Sequence, residues 1–385
     1  MRNITKLTIL GILIALVFSV SLTRGEIPSF QDGVKQQQIP QFEEIAHISS
    51  TGGDTFETQV IGDIAYVIDM NAGFKIYNVS DPSNPILIGQ FYDGGIPHEF
   101  FIDGNLAYIA DHHDGLEILN ISDPSSPAKL GQITDTGDGE MDGVFVADNR
   151  AYVAEWHDST WSWKMIVINV TDPTNPIKLG EYTDGEDQFL RFHAVGDICY
   201  TACLSDGLKV LNISDPTNIL EIGRYSDGGY AFNFQIVDNI AFMADGGDGL
   251  ELIDISDPAN PAEIGQFDDI EDGVADVQVV GEVAYIAENE QGLGILDISN
   301  PAEIIKLGQF DTEDIIGVYV HDDLAFLSLH EHGLKIIRIH WFEDTSTATS
   351  PSFELLLVVL AALTTVLIRM VRKGRKNKVL KVHSS

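Results

Sequence analysis

Through the middle of this chain, apolar residues come in runs of five or six, broken by glycine, asparagine, aspartate and proline. No stretch of ten residues between these breaks keeps a helical period. One phrase, a small residue before an aromatic, occurs seven times: Ala65-Tyr66, Ala107-Tyr108, Ala151-Tyr152, Cys199-Tyr200, Ala241-Phe242, Ala284-Tyr285 and Ala325-Phe326. The aromatics are 42, 44, 48, 42, 43 and 41 residues apart. A second phrase follows every copy except the last, as in Ser80-Asp81-Pro82 and Ser122-Asp123-Pro124, with Ser299-Asn300-Pro301 in the sixth. Each period predicts four short strands, which we letter A to D. In the second copy they are His98 to Asp103, Leu106 to Asp111, Leu116 to Ser122 and Ala128 to Thr134. Gly104-Asn105 and Asp114-Gly115 suit tight hairpin turns, and Asp123-Pro124 opens the turn from C to D. Strands such as Phe100-Phe101-Ile102 are apolar on both faces and must be covered on both, which stacked blades around an axis achieve.

The pattern therefore predicts an all-β, seven-bladed β-propeller of four-stranded blades. Seven A-B-C sets occur, the last at Ile316 to His340, and a lone D strand, Glu44 to Ile48, precedes the first. That strand is expected to close the last blade and cover its edge. Acids end most B strands, at Asp69, Asp111, Glu155, Asp245 and Glu288, and read as caps of their own hairpins rather than as a metal ring.

Strand C carries a family resemblance. Leu116-Glu-Ile-Leu-Asn120, Leu208-Lys-Val-Leu-Asn212, Leu250-Glu-Leu-Ile-Asp254 and Leu293-Gly-Ile-Leu-Asp297 resemble the repeated phrase of LVIVD-repeat propellers, as does the Ser-Asp-Pro-x-x-Pro that follows. Phe74 to Asn78 and Met165 to Asn169 fit more loosely, and Leu334 to Arg338 ends in Arg where Asp or Asn is expected. The similarity covers roughly residues 43–341. It implies a surface or secreted propeller, often anchored, and fixes no common reaction.

Both ends of the chain differ from the middle. Arg2 and Lys6 precede an apolar run from Leu7 to Leu22, which reads as a signal peptide over residues 1–25, with a linker over 26–42 before the propeller at 43–341. A Thr/Ser-rich stalk (342–354), an apolar transmembrane helix (355–371) and a basic tail (372–385) follow. The last two segments predict a single membrane span, with the propeller outside and the tail in the cytoplasm. The stalk, span and tail also resemble the sorting tails of archaeal surface proteins, with Pro351-Ser352-Phe353 where those carry Pro-Gly-Phe.

Charge sharpens the picture. Residues 26–341 hold 56 of the 59 acids and 12 of the 22 bases, a net of −44 that repels phosphate backbones and argues against nucleic acid as a partner. The reading is a monomeric propeller. Cys199 and Cys203 lie on one strand, roughly 13 Å apart, too far to pair. Asn78, Asn120, Asn169 and Asn212 are glycosylation sequons at one repeat position, a position where Asn or Asp also suits the C–D turn.

Candidate chemistry lies where the repeat varies. The residue five before the A–B turn is Glu57, Glu99, Gly143, Arg191, Asn233, Asp276 and Gly317 in successive blades, a polar ring at the mouth of the central channel. Its carboxylates, Glu57, Glu99 and Asp276, are candidates for Ca²⁺ or another divalent cation. Six of the eleven histidines belong to the same end, and His98, His112 or His113, and His157 are expected to converge with Asp142 on a transition metal. The B–C connection of blade three, Trp156 to Lys164, holds three of four tryptophans. Trp161 and Trp163 are candidates for ligand contact or for packing on their own blade. These features predict a membrane-anchored binding or adhesion module for an extracellular protein or glycan. The alternative is a propeller hydrolase, lyase or metal-dependent oxidase working at the channel mouth.

Overall fold

The computed structural model describes residues 38–49, 54–134, 139–157, 159–183, 188–270 and 273–343. All 28 regular elements among them are strands, arranged as seven four-stranded sheets. The expected signal peptide, most of the linker, nearly all of the stalk, the span and the basic tail lie outside the described residues. No helix among the described residues is long and apolar enough to cross a membrane.

Six blades are consecutive in sequence. Blade 2 is typical, with strand A at Glu99–Asp103, B at Leu106–Asp111, C at Gly115–Asn120 and D at Ala128–Ile133, paired in that order. Blade 7 is assembled from the two ends of the repeat array. Its strands Ile315–His321, Leu324–Leu329 and Gly333–Glu343 are joined at the outer edge by Gln38–Ile48. The closing strand starts at Gln38, six residues earlier than the Glu44 start read from the sequence. The A strands of consecutive blades touch one another round the ring, including blade 7 against blade 1.

Seven apolar clusters hold this ring, and each lies between two neighbouring blades. Between blades 2 and 3, for example, Leu116 and Ile118 meet Val144 and Val153. This is why strands B and C are apolar on both faces: each face belongs to a different interblade core. Cys199 and Cys203 are buried members of such a cluster and form no disulfide, and burial pushes the Cys199 thiol up.

The repeated turn phrase has a local cause. Asp81 Oδ1 accepts the Ser83 N–H (3.1 Å), and Asp123, Asp172, Asp215 and Asp257 make the same bond. One turn earlier, the sequon asparagines Asn78, Asn120, Asn169 and Asn212 accept the N–H two residues on through Oδ1, as Asp254 and Asp297 do. The acids ending strand B behave differently from the expectation. Asp69 does accept the Asn71 N–H of its own hairpin. Asp111 and Asp245 instead accept the N–H groups of Ile96 and Tyr230 in the loop entering strand A, while Glu155 meets His157 and Glu288 meets Lys306. The last residue of strand B is buried, so its carboxylate faces the inside of the blade rather than the exposed hairpin tip.

Candidate functional site

Strand A of each blade begins at one end of the channel, so its first residues line the mouth. There they surround a cavity of about 760 Å³. Glu57, Arg191, Asn233, Asp276 and Gly317 of the expected ring line it. Glu99 lies just beneath, buried, with its Oε2 2.7 Å from Arg191 Nη1. Gly143 leaves room for this contact, because a Cβ there would come within 2.5 Å of the Leu190 carbonyl and 3.1 Å of Glu99 Oε2.

The ring acids also stitch blades together. The N–H of Val144 donates to Glu99 Oε2 (2.9 Å), that of Phe100 to Glu57 Oε2 (3.4 Å) and that of Val318 to Asp276 Oδ2 (2.8 Å). In each case the donor belongs to strand A of the next blade. Two residues further along, Gln235 accepts from Val279 and Gln278 from Val320 in the same way. Asn233 donates its amide N–H to Asp276 Oδ1. Each carboxylate is thus bonded to its neighbour's backbone, and Glu57, Glu99 and Asp276 do not bring their oxygens together as a three-ligand cation site.

Burial dominates the electrostatics here. It raises Glu57 to about 7 against the pull of Arg191, and Glu99 to about 8, with Glu57 adding to the rise and Arg191 opposing it. Asp276 is also raised by burial, although backbone donors and Arg191 oppose the shift. For Arg191 burial works against the charge, yet Glu99, Glu57 and Asp276 outweigh it and hold the guanidinium above its ordinary value.

Beside the ring, blades 2 and 3 bring the predicted metal residues together. His98 Nδ1 is 3.2 Å from Asp142 Oδ1, and the rings of His98 and His112 are 5.2 Å apart. Ligand atoms of His98, His112 and Asp142 lie within 4.8 Å of one another. A bulge between Met141 and Gly143 gives Asp142 its place, and reciprocal backbone bonds between His112 and Met141 fix the two blades there. His113 joins a second group, in which Glu140 meets His112 and His113 at 3.0 Å each. Burial, with help from His112 and Arg191, lowers His98 to about 4, so its imidazole is neutral at physiological pH and available as a ligand. Burial, then Glu140, raises Asp142 to about 7. Two imidazoles and one carboxylate suit a transition metal such as zinc.

His157 does not belong to either group. Its Nε2 lies 2.6 Å from Glu155 Oε2 inside blade 3, because strand B continues to His157 and turns that side chain inward. The tryptophan connection is an extended hairpin in which Trp156 pairs with Trp163 and His157 with Ser162. Its two candidates part company. Trp163 packs on the core between blades 3 and 4 and also lines the cavity, whereas Trp161 is 78 % exposed at the tip.

Sequence reasoning missed a second ring, one residue before the first. Phe56, His98, Asp142, Leu190, Phe232, Ala275 and Ile316 all line the cavity, and Phe56 stacks on His98 at 5.8 Å. The signal was present, since these positions recur with the same period. Glu140 was missed because strand A of blade 3 is extended back to Gly139, beyond the repeat, and only the fold sets that extension beside two histidines.

Comparison with known proteins agrees with this architecture. The LVIVD repeat model matches residues 52–93, 94–135, 138–184, 193–227, 228–269 and 273–312, which are blades 1 to 6. The seventh blade escapes a linear match because its D strand precedes its other three strands by most of the chain. No curated protein sequence matches this chain. Among solved structures, the crystal structure of the computationally designed Ika8 protein is similar, with a TM-score of 0.56 and 9 % identity over 77 % of this chain and 99 % of that one. At that identity the likeness concerns the fold alone.

Proposed function

The chain belongs to the LVIVD-repeat family, and from that premise we propose that its propeller is an extracellular protein-interaction module. In this reading a single C-terminal span holds it at the membrane and a partner's cationic segment enters the channel mouth. The observation that carries this reading is the 760 Å³ cavity, where the repeat abandons its regularity for Phe56, Phe232, Trp163, Arg191 and three acids. Aromatic side chains supply contact area at low entropic cost, and the carboxylates favour a positive ligand. Further aromatics, Tyr92, Trp161 and Tyr230, are exposed in D–A and B–C connections at the same end of the blades. The cationic N-terminal flank, the apolar run near the C-terminus and the basic tail support the anchored orientation. The four sequons support an extracellular location, since their Oδ1 atoms serve the turn and leave each Nδ2 for a sugar.

A peptide library selected on the immobilised full-length protein tests the reading. Lys- or Arg-rich peptides should emerge, and Trp161→Ala with Phe232→Ala should weaken their binding at least tenfold. Selected peptides that bind the variants as well as the parent would move the interaction elsewhere on the molecule, and enrichment of no peptide would favour a glycan.

The grouping of His98, His112 and Asp142 at the cavity edge favours a second reading, a metal-dependent propeller enzyme. Stoichiometric zinc, manganese or iron in the purified protein, lost in His98→Ala and His112→Ala, would select it. Absence of bound metal after exposure to each ion would remove it.

A further inference from the structure

Away from the channel, each blade buries one polar slot between strands B, C and D, and in six of the seven a cationic or cation-forming side chain sits in it. Lys75 is 2.7 Å from Asp69 in blade 1, His157 is 2.6 Å from Glu155 in blade 3, and Lys209 is 3.0 Å from Asp206 in blade 4. Lys306 reaches both oxygens of Glu288 at 2.9 Å in blade 6, and Lys335 meets Glu313 in blade 7. In blade 2, Lys129 of strand D bridges Glu117 of strand C and Asp93 of the entering loop.

Blade 5 repeats the acids of blade 2 without its lysine. Asp227, Asp245 and Glu251 correspond to Asp93, Asp111 and Glu117, and both sets place ligand atoms within 4.8 Å of one another. The entering loops share one shape, Asp-Gly-Gly, with φ of 110° at Gly94 and 109° at Gly228. Strand D also keeps its register. Lys129 lies opposite Leu119 in blade 2, and the residue opposite Ile253 in blade 5 is Glu263. The lysine has been replaced by a fourth acid.

The consequence falls on Glu251. Its side chain is fully buried, and its two carboxylate oxygens meet only other acids, Asp227 and Asp245, with no basic or amide donor, whereas Lys129 reaches one oxygen of Glu117 in blade 2. A buried carboxylate without a cation or donors is strongly disfavoured. Burial and the neighbouring acids raise Glu251 to about 9, against about 7 for Glu117 beside Lys129, whereas Asp245 stands at about 7 as Asp111 does. Either protons or a metal ion must supply the charge that Lys129 supplies in blade 2. Oxygen-only ligands, partly in reach of water through exposed Asp227 and Glu263, fit a hard divalent ion better than a transition metal.

We propose that blade 5 is a Ca²⁺ site, with Asp227, Asp245 and Glu251 as ligands, Glu263 at its outer edge, and the ion standing where blade 2 has an ammonium group. The site is separate from the channel mouth and stands whatever that mouth binds.

The experiment is calorimetric titration of Ca²⁺ into the EGTA-treated full-length protein at pH 7.5, with thermal melts against NaCl of matched ionic strength. One site is expected, with Kd of about 10⁻⁴ M or tighter, together with a melting shift beyond that of NaCl. Glu263→Lys, which rebuilds the blade 2 arrangement, should weaken binding at least tenfold and raise the melting temperature of the ion-free protein. Glu251→Gln should weaken binding equally, and it keeps the test alive should the first variant fail to fold. Equal shifts by Ca²⁺ and NaCl, or Ca²⁺ binding of unchanged affinity and stoichiometry in both variants, would overturn the proposal and leave shared protons as the neutralising charge.

Discussion

Arg191 shows how much one side chain carries in this ring. It is the one base among three inward carboxylates, its guanidinium pairs with Glu99, and Glu99 in turn holds the Val144 N–H of the next blade. Removing it leaves Glu99 buried without its cation. Replacing Arg191 by Met should therefore cost about 3 kcal/mol, the low end for a broken buried pair because part of the Arg191 side chain stays in water. Urea unfolding of Arg191→Met would show this as a lowered midpoint, and adding Glu99→Gln should restore part of the loss. A midpoint unchanged in the single variant would mean that channel water already compensates the charge. The position of Arg191 was legible from the repeat, whereas its pairing was not. Glu99 lies two blades away, and only the glycine at position 143 brings the two groups together.

At the scale of elements, the strand D glycine and the Ser-Asp-Pro turn turn out to be one device. A Cβ on Gly180 of blade 3 would lie 1.7 Å from the carbonyl oxygen of Pro216 in blade 4. The same approach recurs from Gly89 to Pro124 and from Gly131 to Pro173, always at a bulge between strands C and D. The turns of blades 2 to 6 therefore seat on the outer strand of the preceding blade. Gly180→Ala should destabilise by about 1–3 kcal/mol through overpacking against backbone, read by denaturant unfolding. The sequence displayed both phrases but gave no sign of their partnership, because the partners sit in different repeats. The closing strand belongs to this scale as well. Phe42 packs on Phe310 of blade 6 at a ring separation of 5.5 Å, within the core between blades 6 and 7. Phe42→Ala should lower the melting temperature, and deleting residues 38–48 should lower it further by exposing an unpaired edge. An undiminished melt in the deletion would mean that the ring does not depend on its closure.

For the molecule as a whole, charge sets the response to pH. Glu57, Asp111, Glu117, Asp142 and Asp245 are raised to about 7, Glu99 to about 8 and Glu251 to about 9, chiefly by burial. A carboxyl group raised in the folded state binds its proton more tightly there than in the unfolded chain. Stability must then grow as pH falls from about 9 toward the ordinary carboxylate range, the reverse of the usual acid response. His98, lowered to about 4, and His193, also lowered by burial, oppose this below their ordinary value of 6.5, but they are two groups against seven. Thermal melts in the absence of divalent ions should give a higher melting temperature at pH 5.5 than at pH 8.5, by several degrees. The opposite order would show that water in the channel and slots keeps these acids ionised at little cost. Saturating Ca²⁺ should narrow the difference by removing the share that belongs to blade 5.

The sequence by itself determined what repeats. Seven small-aromatic phrases at nearly constant spacing, alternating with turn residues, specify four-stranded units that are apolar on both faces, and such units are stable only when stacked into a closed ring. The ring position at the channel mouth follows from the same spacing, because register within a hairpin is local and fixed by its turn. The tertiary structure decided what meets across blades. His98, His112 and Asp142 converge, and His157 does not, because a bulge in strand A of blade 3 and two additional paired residues in its hairpin set the direction of each side chain. The contrast between Lys129 and Glu263 was visible as letters, but its meaning came from strand register and burial. Only with both acids sealed between strands does the exchange of a lysine for a glutamate leave a buried carboxylate without a cation. Chain periodicity encodes local hydrogen bonding, whereas the charge balance of a slot depends on residues brought together from separate strands, on distances that no spacing along the chain records.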